Sequence, residues 1–434
     1  AHDIMNEKPL TFLYETSYRK IIHEIPKRLK NRSDTSRKFL SNIILVDKNN
    51  IPVRIVNYHE LWQNNNVDYK KISIIGLGYV GITLSLALAD NDLIIFGYDI
   101  DKKKIKKFNE GYTDVHELGI NRLLSEHLNN RFFASDSLTE DSDVYIICVS
   151  TPVEIDQKSK SYTPNLKYIE KSLNEIGKYI KKDDLIILRS TVPVGSTRNH
   201  FIPLIEKKSG LKCGLDFMVA FAPERTVEGK AMEELRELPQ IIGGYDERSV
   251  DQTAKIFSRL TSTIIRVDSI ESAEMVKLMN NSYRDYVFAY ANKLSMVAKD
   301  YNLDINHIIK SANRGYPRNP IPFPSPGVGG PCLTKDPYIF SSALKDNENE
   351  KNNVFLAGRL INEKMHTYVV SRTIKQILYQ KKDLSDVKIL ICGLAFKGQP
   401  ETGDLRNSSS VEIYRLLKEK NINTYGYDHV IDKN

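Results

Sequence analysis

The 434-residue sequence contains few cysteines and no long uninterrupted apolar stretch. Its four cysteines, Cys148, Cys213, Cys332 and Cys392, lie far apart and form no CxxC pair. This spacing argues against a zinc knuckle or a disulfide framework and favours free thiols in a cytoplasmic protein. No apolar run reaches the roughly 18 residues of a membrane-spanning helix, and the opening AHDIMNEKPL has no signal-peptide core. The sequence therefore predicts neither a membrane span nor export.

A block of basic residues is also missing. The formal net charge is +7, but 62 Lys and Arg are interspersed with 55 Asp and Glu, so no basic surface for a nucleic-acid backbone is expected. Apolar residues make up 41% and charged residues 27%, as in ordinary globular proteins rather than disordered or fibrous ones. The length predicts two to four domains of roughly 100 to 200 residues each.

Residues 1–66 form a small α+β module in this interpretation. A helix is expected around YRKIIHEIPKRL, an apolar strand with a central turn in NIILVDKNNIPVRIV, and a short helix at HELWQ. The order of DIMNEKPLTF and LVDKNNIPVRIVNYHEL resembles a single cystathionine-β-synthase-type (CBS) motif. Paired motifs of that family bind adenine nucleotides, whereas a single copy leaves a structural or dimerising role as the alternative.

From Lys70 onward, apolar strands alternate with amphipathic helices, which predicts an α/β domain with a parallel sheet over residues 69–270. The predicted strands are KISII, LIIFGYD, DVYIICV, DLIILRS, FMVAFAP, QIIGG and TIIRV.

A central segment of residues 271–382 follows. The run from Ser272 to Tyr301 lacks Gly and Pro and predicts one long helix, and the irregular RGYPRNPIPFPSPGVGGP predicts a functional loop. Residues 383–434 open a second strand–loop–helix unit at VKILICGLAFKG and end on a second strand, so this domain looks cut short.

The strand KISII runs into GLGYVG, which places Gly76, Gly78 and Gly81 in the GxGxxG spacing. These glycines allow a tight turn, close approach of a pyrophosphate and helix–strand packing. The next strand ends on Asp99, which can bind the ribose hydroxyls and repel a 2′-phosphate, so NAD is favoured over NADP. Three lysines at 102–104 could soften that repulsion, but we expect them to form a solvated helix start.

Cys332 follows a glycine-rich loop, and Asp336 lies four residues later. A cysteine in such a loop is accessible, and nearby cations or helix-start amides make it a candidate thiolate nucleophile. Lys277 and Asn281 are spaced i, i+4 on the long helix, where an ammonium and a carboxamide can hold one oxygen. The apolar neighbours of Lys277 also predict a buried partner for it.

Polar groups also occur at two predicted strand ends. Thr191 lies in STVPVGST, and Glu224 and Glu228 lie in APERTVEG. Ligands of open α/β sheets bind at the carboxyl ends of strands, so these residues are further site candidates.

Together these motifs resemble the UDP-glucose/GDP-mannose dehydrogenase superfamily of nucleotide-sugar 6-dehydrogenases. The motifs GLGYVG, STPV, STVPVGS, PERxxEG, KxxxN, GVGGPCxxKD and GLAFKGQPETGDLRNSS occur in the family's order from Lys70 to the last residue. The resemblance implies an N-terminal Rossmann domain, a long central helix that mediates a homodimer, and a second, Rossmann-like UDP-binding domain. It also implies two successive NAD-dependent oxidations of a C6 alcohol, without a metal.

The resemblance assigns roles by matching position. Cys332 would attack the aldehyde, and Lys277 and Asn281 would stabilise the oxyanion. Asp336 with Thr191 would accept the alcohol proton, and Glu224 and Glu228 would serve thioester hydrolysis. The implied NAD contacts are Gly76, Gly78, Tyr79, Val80, Gly81, Asp99, Ser150, Thr151, Pro152, Thr191 and Arg406. The implied substrate contacts are Glu224, Arg225, Lys277, Asn281, Arg314, Arg318, Gly327, Gly329, Gly330 and Lys397.

The segments around Glu224 and Cys332 look more like the UDP-N-acetylmannosamine and UDP-N-acetylglucosamine branch than the UDP-glucose branch, and the product would serve surface polysaccharide. Two alternatives stay open. A 6-phosphogluconate- or hydroxyacyl-type dehydrogenase would yield one NADH per substrate, although Cys332 and the second α/β domain argue against it. A nucleotide-sensing protein would use the CBS-like module in place of catalysis.

Overall fold

The computed structural model describes residues 10–16, 21, 24, 25, 28, 42–57, 71–138, 142–155, 162–344 and 353–431. The chain divides into two compact units. The first comprises Ala1–Thr151, Leu166–Ser190 and Gly195–Glu274, and the second comprises Pro152–Asn165, Thr191–Val194 and Met275–Asn434. Elements are numbered below in chain order.

The N-terminal residues contribute a three-stranded sheet to the first unit. Strand β1 (Thr11–Leu13) is parallel to β2 (Asn42–Val46), which pairs antiparallel with β3 (Pro52–Asn57). The apolar strand with a central turn that was expected here is thus two antiparallel strands, β2 and β3, on either side of the turn. Of the helix expected around YRKIIHEIPKRL, residues 21, 24, 25 and 28 are described and are helical, whereas HELWQ lies outside the described residues. The CBS-like identification stays a prediction.

An eight-stranded sheet forms the core of the first unit. Its strands, in order across the sheet, are β13 (Ile264–Arg266), β12 (Gln240–Gly244), β11 (Met218–Phe221), β10 (Leu185–Leu188), β7 (Val144–Ile147), β4 (Ile72–Ile75), β5 (Ile95–Tyr98) and β6 (Phe132–Ser135). From β11 to β6 all pairs are parallel, in the strand order of dinucleotide-binding Rossmann folds.

Two features of this sheet differ from the prediction. Strand β12 is antiparallel to β11, so the sheet is not wholly parallel. An apolar run identifies a buried strand but carries no information on its direction, which only pairing decides. Strand β6 was not predicted, because it is short, lies at the sheet edge and buries fully only Phe132.

In the described part of the first unit, seven α-helices alternate with these strands along the chain: α1 (Tyr79–Ala89), α2 (Lys102–Asn109), α3 (Ile120–His127), α4 (Lys167–Tyr179), α5 (Ile202–Ser209), α6 (Ala231–Glu237) and α7 (Glu247–Phe257). Helix α1 is apolar all round, and every residue from Gly81 to Ala89 is buried. Burial on all sides fixes its N-terminus at the end of β4, where the glycine loop lies.

The second unit is mainly helical, with the hairpin β8 (Val153–Ile155) and β9 (Tyr162–Pro164) at its start. Its helices are α8 (Ile270–Asp300), whose first residues belong to the first unit, α9 (Ile305–Asn313), α10 (Asp336–Ser341) and α11 (Val354–Tyr379). The single long helix expected from Ser272 to Tyr301 is confirmed. No helix in the described ranges is long and apolar enough to cross a membrane.

The C-terminal part of the second unit is a strand–helix–strand motif. Strands β14 (Lys388–Cys392) and β15 (Asn423–Tyr427) are parallel and are joined by α12 (Ser409–Glu419). The second α/β unit expected from VKILICGLAFKG is therefore present. Ile413, Leu417 and Ile422 pack with Val370 and Ile377 of α11 in one apolar cluster.

Candidate active site

The predicted dinucleotide site lies where the strand order of the large sheet reverses, between β4 and β7. Gly76 directly follows β4 and has a φ of +90°, and a Cβ there would lie 2.9 Å from Val149, which follows β7. A crevice at such a switch point is where open α/β sheets bind nucleotides. The backbone thus requires glycine at this position, for both conformation and space.

The other two glycines meet different requirements. Gly78 is the N-cap of α1 without a side-chain cap, and a Cβ on it would meet no atom within 4 Å. A Cβ on Gly81 would lie 1.9 Å from the Gly76 carbonyl oxygen. The space above Gly78 and the uncapped helix amides fit the pyrophosphate of NAD, and Gly81 permits the close packing beneath.

Asp99 is buried at the end of the second strand, as the ribose-binding interpretation requires. Its Oδ2 accepts hydrogen bonds from the Leu77 amide at 2.9 Å and from Lys104 Nζ at 2.8 Å. The expectation that all three lysines are solvated is therefore wrong for Lys104, while Lys102 and Lys103 are exposed. Asp101 is the N-cap of α2, and the first turn of this helix brings Lys104 back towards Asp99.

The segment after β7 holds the predicted contacts Ser150 and Thr151. Ser150 is exposed, whereas Thr151 is buried, and its Oγ1 has no hydrogen-bond partner in the described structure. A buried hydroxyl without a partner is unfavourable in the free protein, and a bound nucleotide offers it one. This observation also fits NAD at the switch point.

Tyr79 of GLGYVG links the glycine loop to the PERTVEG segment. Its hydroxyl donates a short hydrogen bond to Glu117 and accepts one from the Gly229 amide at 2.9 Å, and burial raises the pKa of Tyr79 above its usual value. The Gly229 and Met232 amides also donate to Glu117, at 3.0 and 3.3 Å. Sequence reasoning missed Glu117, because nothing local marks a carboxylate whose partner is 112 residues away.

Glu224 is buried and paired with Arg189. Its Oε2 accepts from Arg189 Nη2 at 2.5 Å and Nε at 3.1 Å. Its Oε1 accepts from the amides of Arg225 and Thr226, both at 2.7 Å. Four donors therefore fix the carboxylate and the start of the PERTVEG loop, whereas Glu228 is only half-buried.

The loop STVPVGST carries Thr191, which is half-buried in the second unit. Its distal end belongs to the first unit and is bound by Glu274 of α8. Glu274 accepts from the Gly195 amide at 2.5 Å, the Thr197 amide at 2.9 Å and the Thr197 hydroxyl at 2.6 Å. Burial raises the pKa of Glu274 to about 7 in spite of these donors.

The predicted nucleophile, Cys332, is exposed in the turn that precedes α10. Burial raises the pKa of Cys148 and of Cys213 to about 12, so these two thiols are unreactive at neutral pH. Cys392, at the end of β14, is the other exposed cysteine. The location of Cys332 therefore meets the access that a nucleophile needs.

Asp336 lies one turn after Cys332 and is fully buried. The carboxylate accepts from Asn281 Nδ2 at 2.5 Å and from Lys335 Nζ at 2.8 Å. Burial lowers the pKa of Lys335, but the Asp336 charge and the Cys332 thiol raise it more, so the net shift is upward. The structure thus joins Cys332, Asp336 and Asn281, and adds Lys335, to which sequence reasoning gave no role.

Lys277 shares α8 with Asn281, and the i, i+4 spacing is confirmed. Its side chain is half-buried and has no ion pair with any residue of the described ranges, so the expected buried partner is absent there. The apolar residues next to Lys277 in sequence lie on other faces of the helix, since Leu278 is buried and Met279 is exposed. They therefore do not bury the Lys277 side chain.

The glycine loop before Cys332 packs against the C-terminal α/β motif. A Cβ on Gly330 would lie 2.8 Å from the Phe396 ring, and one on Gly329 would lie 2.4 Å from the Asn407 carbonyl oxygen. Lys397 is half-buried, with Nζ 5.5 Å from the centre of the Phe396 ring. Arg406 is exposed and paired with Asp404. These contacts bring two predicted substrate-binding segments together.

The two predicted substrate arginines, Arg314 and Arg318, lie earlier in the chain, between α9 and the glycine loop, and are exposed. Arg314 ends helix α9, and the Arg318 guanidinium lies 5.7 Å from the centre of the Tyr316 ring.

Comparison with known proteins agrees with this architecture. The UDP-glucose/GDP-mannose dehydrogenase family matches residues 70–261 with its NAD-binding domain and residues 271–364 with its central domain. The UDP-N-acetyl-D-mannosamine dehydrogenase of Pyrococcus horikoshii is 34% identical over 360 residues, which cover 82% of this chain and 83% of the relative. Protein CapL of Staphylococcus aureus is 31% identical over 84% of this chain and 83% of its own length.

Solved structures give the same result. The UDP-N-acetylmannosamine dehydrogenase structure from Pyrococcus horikoshii has a TM-score of 0.76 at 32% identity and covers 83% of this chain and 84% of that one. Cap5O from Staphylococcus aureus, a UDP-N-acetyl-mannosamine dehydrogenase, has a TM-score of 0.73 at 32% identity and covers 84% and 83%. The chain therefore belongs to the UDP-glucose/GDP-mannose dehydrogenase family and is an NAD-dependent UDP-sugar dehydrogenase.

Proposed function

We propose that the protein oxidises the C6 alcohol of UDP-N-acetylmannosamine to the corresponding uronic acid, a precursor of surface polysaccharide. The observation that carries this proposal is the identity of 33–34% over more than four-fifths of the chain with proteins named UDP-N-acetyl-D-mannosamine dehydrogenase from Pyrococcus horikoshii and Campylobacter jejuni. UDP-N-acetylglucosamine and UDP-glucose are the competing substrates.

The roles proposed here are those that the family resemblance assigns by matching position. The glycine loop around Gly76, Gly78 and Gly81 would hold NAD, and two NAD molecules bound in succession would each supply the hydride acceptor for one of the two oxidations. In the first, the alcohol loses a hydride and a proton to become an aldehyde, and Asp336, with Thr191 and a water, takes the proton. The Cys332 thiolate then adds to the aldehyde carbon, giving a thiohemiacetal.

The second oxidation removes a hydride and a proton from the thiohemiacetal and leaves a thioester on Cys332. Water attacks the thioester carbonyl, which releases the carboxylate and regenerates the thiol. Lys277 and Asn281 stabilise the negative oxygen, and each such donor contributes roughly 3–4 kcal/mol in a water-excluded site. Glu228 orders the water. Glu224, fixed by four donors, holds the loop that carries Glu228.

NADH formation tests the proposal directly. With limiting UDP-N-acetylmannosamine, UDP-N-acetylglucosamine or UDP-glucose, we expect the highest kcat/KM for the first and two NADH per sugar. Cys332→Ser should form no acid, whereas Cys392→Ser, which changes the other exposed thiol, should retain full activity. Steady-state acid formation by Cys332→Ser would contradict the covalent mechanism. One NADH per sugar would support the non-covalent alternative. A higher kcat/KM for UDP-glucose would overturn the proposal that UDP-N-acetylmannosamine is the substrate.

The long helix supports a homodimer as the functional state. Six exposed apolar residues lie along one face of α8: Met275, Met279, Tyr283, Tyr286, Tyr290 and Val297. An exposed apolar stripe of this kind is typical of a protein–protein interface. Sedimentation should show a dimer that Tyr283→Glu converts to monomer, while Arg284→Glu, exposed on another face, leaves it intact. A wild-type monomer contradicts this assignment.

For residues 1–66 the proposal is a structural or dimerising role. Isothermal calorimetry with ATP, ADP and AMP should therefore detect no binding besides that at the NAD site. Binding that survives Gly81→Ala would instead assign nucleotide sensing to the CBS-like module.

A further inference from the structure

A buried polar cluster connects the two long helices of the second unit. It consists of Asp285 and Asn292 on α8 and Arg359 and Asn362 on α11, each at most 1% exposed. Burying an ion pair and two amides is unfavourable unless most of their polar atoms find partners. In the described structure Asp285 Oδ2 and Arg359 Nε lack a hydrogen bond, whereas the other side-chain polar atoms of the cluster have one. The partners of those atoms indicate what the cluster does.

Arg359 binds the loop of the nucleophile on both sides of Cys332. Its Nη2 donates to the carbonyl oxygen of Val328 at 3.0 Å, and its Nη1 donates to that of Leu333 at 3.1 Å. Asp285 Oδ1 pairs with the same Nη1 at 2.9 Å. One planar guanidinium thus binds backbone carbonyl oxygens on both sides of residues 329–332. The Asp285 carboxylate on α8 fixes the position of this guanidinium.

The two asparagines extend this anchorage to the start of the loop. Asn362 Nδ2 donates to the Asp285 carbonyl oxygen at 2.9 Å and to its Oδ1 at 2.8 Å. Asn292 Nδ2 donates to Asn362 Oδ1 at 2.9 Å, and Asn292 Oδ1 accepts from the Ser325 amide at 2.7 Å. The cluster therefore binds the loop at Ser325, Val328 and Leu333.

The loop itself needs such external anchors. Gly327 and Gly330 have φ values of +143° and +91°, and glycine loses more backbone freedom on ordering than any other residue. Cys332 itself is exposed. A displacement of about 1 Å is enough to slow a reaction that needs near-attack geometry by roughly a hundredfold.

We propose that Arg359, held by Asp285, is a positioning residue that sets the location of the Cys332 sulfur for attack on the aldehyde. This inference rests on the proposed nucleophilic role of Cys332. Arg359 makes no contact with substrate in this proposal. When its hydrogen bonds to the loop are weakened, the first oxidation continues, but the aldehyde dissociates before the Cys332 thiol adds to it.

The test uses Arg359→Lys, which keeps the charge but cannot donate to both carbonyls from a planar fork. We expect kcat to fall at least tenfold with KM for the UDP-sugar changed less than twofold, and more than two NADH per molecule of acid, with free aldehyde trapped by semicarbazide. Asp285→Asn, which preserves shape but removes the counter-charge, should show a smaller change of the same kind. Arg372→Lys, exposed on the same helix, is the matched control.

The outcomes separate this inference from the proposed function. Acid formation by Cys332→Ser overturns the nucleophilic role itself. If Cys332→Ser is inactive but Arg359→Lys and Asp285→Asn keep wild-type kcat and two NADH per acid, the positioning role is wrong. Activity that falls only in proportion to folded protein, with the ratio still at two, shows a purely structural role and also overturns it.

Discussion

Replacing Arg189 by Met should destabilise the first unit more than any surface substitution. Arg189 is 4% exposed, and besides Glu224 its Nη1 donates to the Ala222 carbonyl oxygen at 3.0 Å and to Gln240 Oε1 at 2.9 Å. Its guanidinium carbon also lies 5.0 Å from the centre of the Phe257 ring. The substitution leaves the Glu224 carboxylate buried without its counter-charge, and the Oε1 atom of Gln240 loses the hydrogen bond that Arg189 donates.

The magnitude follows from these contacts. Removing one partner of a buried ion pair costs about 3–5 kcal/mol, because the remaining charge stays desolvated. That loss is a large part of the roughly 5–15 kcal/mol by which domains are stable, and it corresponds to a fall of about 10 °C in the unfolding temperature. Neutralising both partners in Arg189→Met with Glu224→Gln should restore part of the loss, since no unpaired charge remains.

Urea and thermal unfolding followed by circular dichroism measure the free energy of unfolding for the two single variants and the double variant. Arg248→Met is the matched control, because the Arg248–Asp183 pair is exposed, and it should cost less than about 1 kcal/mol. A cost for Arg189→Met no larger than that of Arg248→Met would refute the reasoning, as would a double variant less stable than both single ones.

Three further predictions concern the first unit. Burial raises the pKa of Glu274 from 4.5 to about 7, so the folded state binds a proton that the unfolded chain has lost. Stability should therefore fall by about 3 kcal/mol more in the wild type than in Glu274→Gln as the pH rises from 4.5 to 7.5; parallel pH profiles of unfolding temperature contradict this. Gly81→Ala places a Cβ 1.9 Å from the Gly76 carbonyl oxygen and should abolish NAD binding in calorimetry and lower the unfolding temperature, whereas Gly78→Ala, with open space, should leave the unfolding temperature unchanged. Unchanged NAD affinity in Gly81→Ala would show that the loop shifts without cost. Asp99→Asn should lower the ratio of kcat/KM with NAD to kcat/KM with NADP at least tenfold. An unchanged ratio would show that Asp99 does not select between the two cofactors.

Sequence periodicity and residue spacing were enough to predict the dinucleotide loop, the long helix and the spacing of two site residues on it. The glycine spacing and the strand before it placed the dinucleotide loop, because those constraints act within a few residues. The run without Gly or Pro from Ser272 to Tyr301 located the long helix to within two residues of α8 (Ile270–Asp300). The i, i+4 pair Lys277 and Asn281 followed from helix geometry alone.

Only the tertiary structure decided which charged and polar groups meet. Asp285 and Arg359 are 74 residues apart, Glu117 and Gly229 are 112 apart, and Arg189 and Glu224 are 35 apart, so no local pattern connects them. The direction of β12 and the existence of the edge strand β6 likewise depended on pairing. Local sequence determines backbone conformation and which face of an element is buried. An ion pair between distant residues depends on which segments the tertiary structure brings together, so it could not be predicted from local sequence.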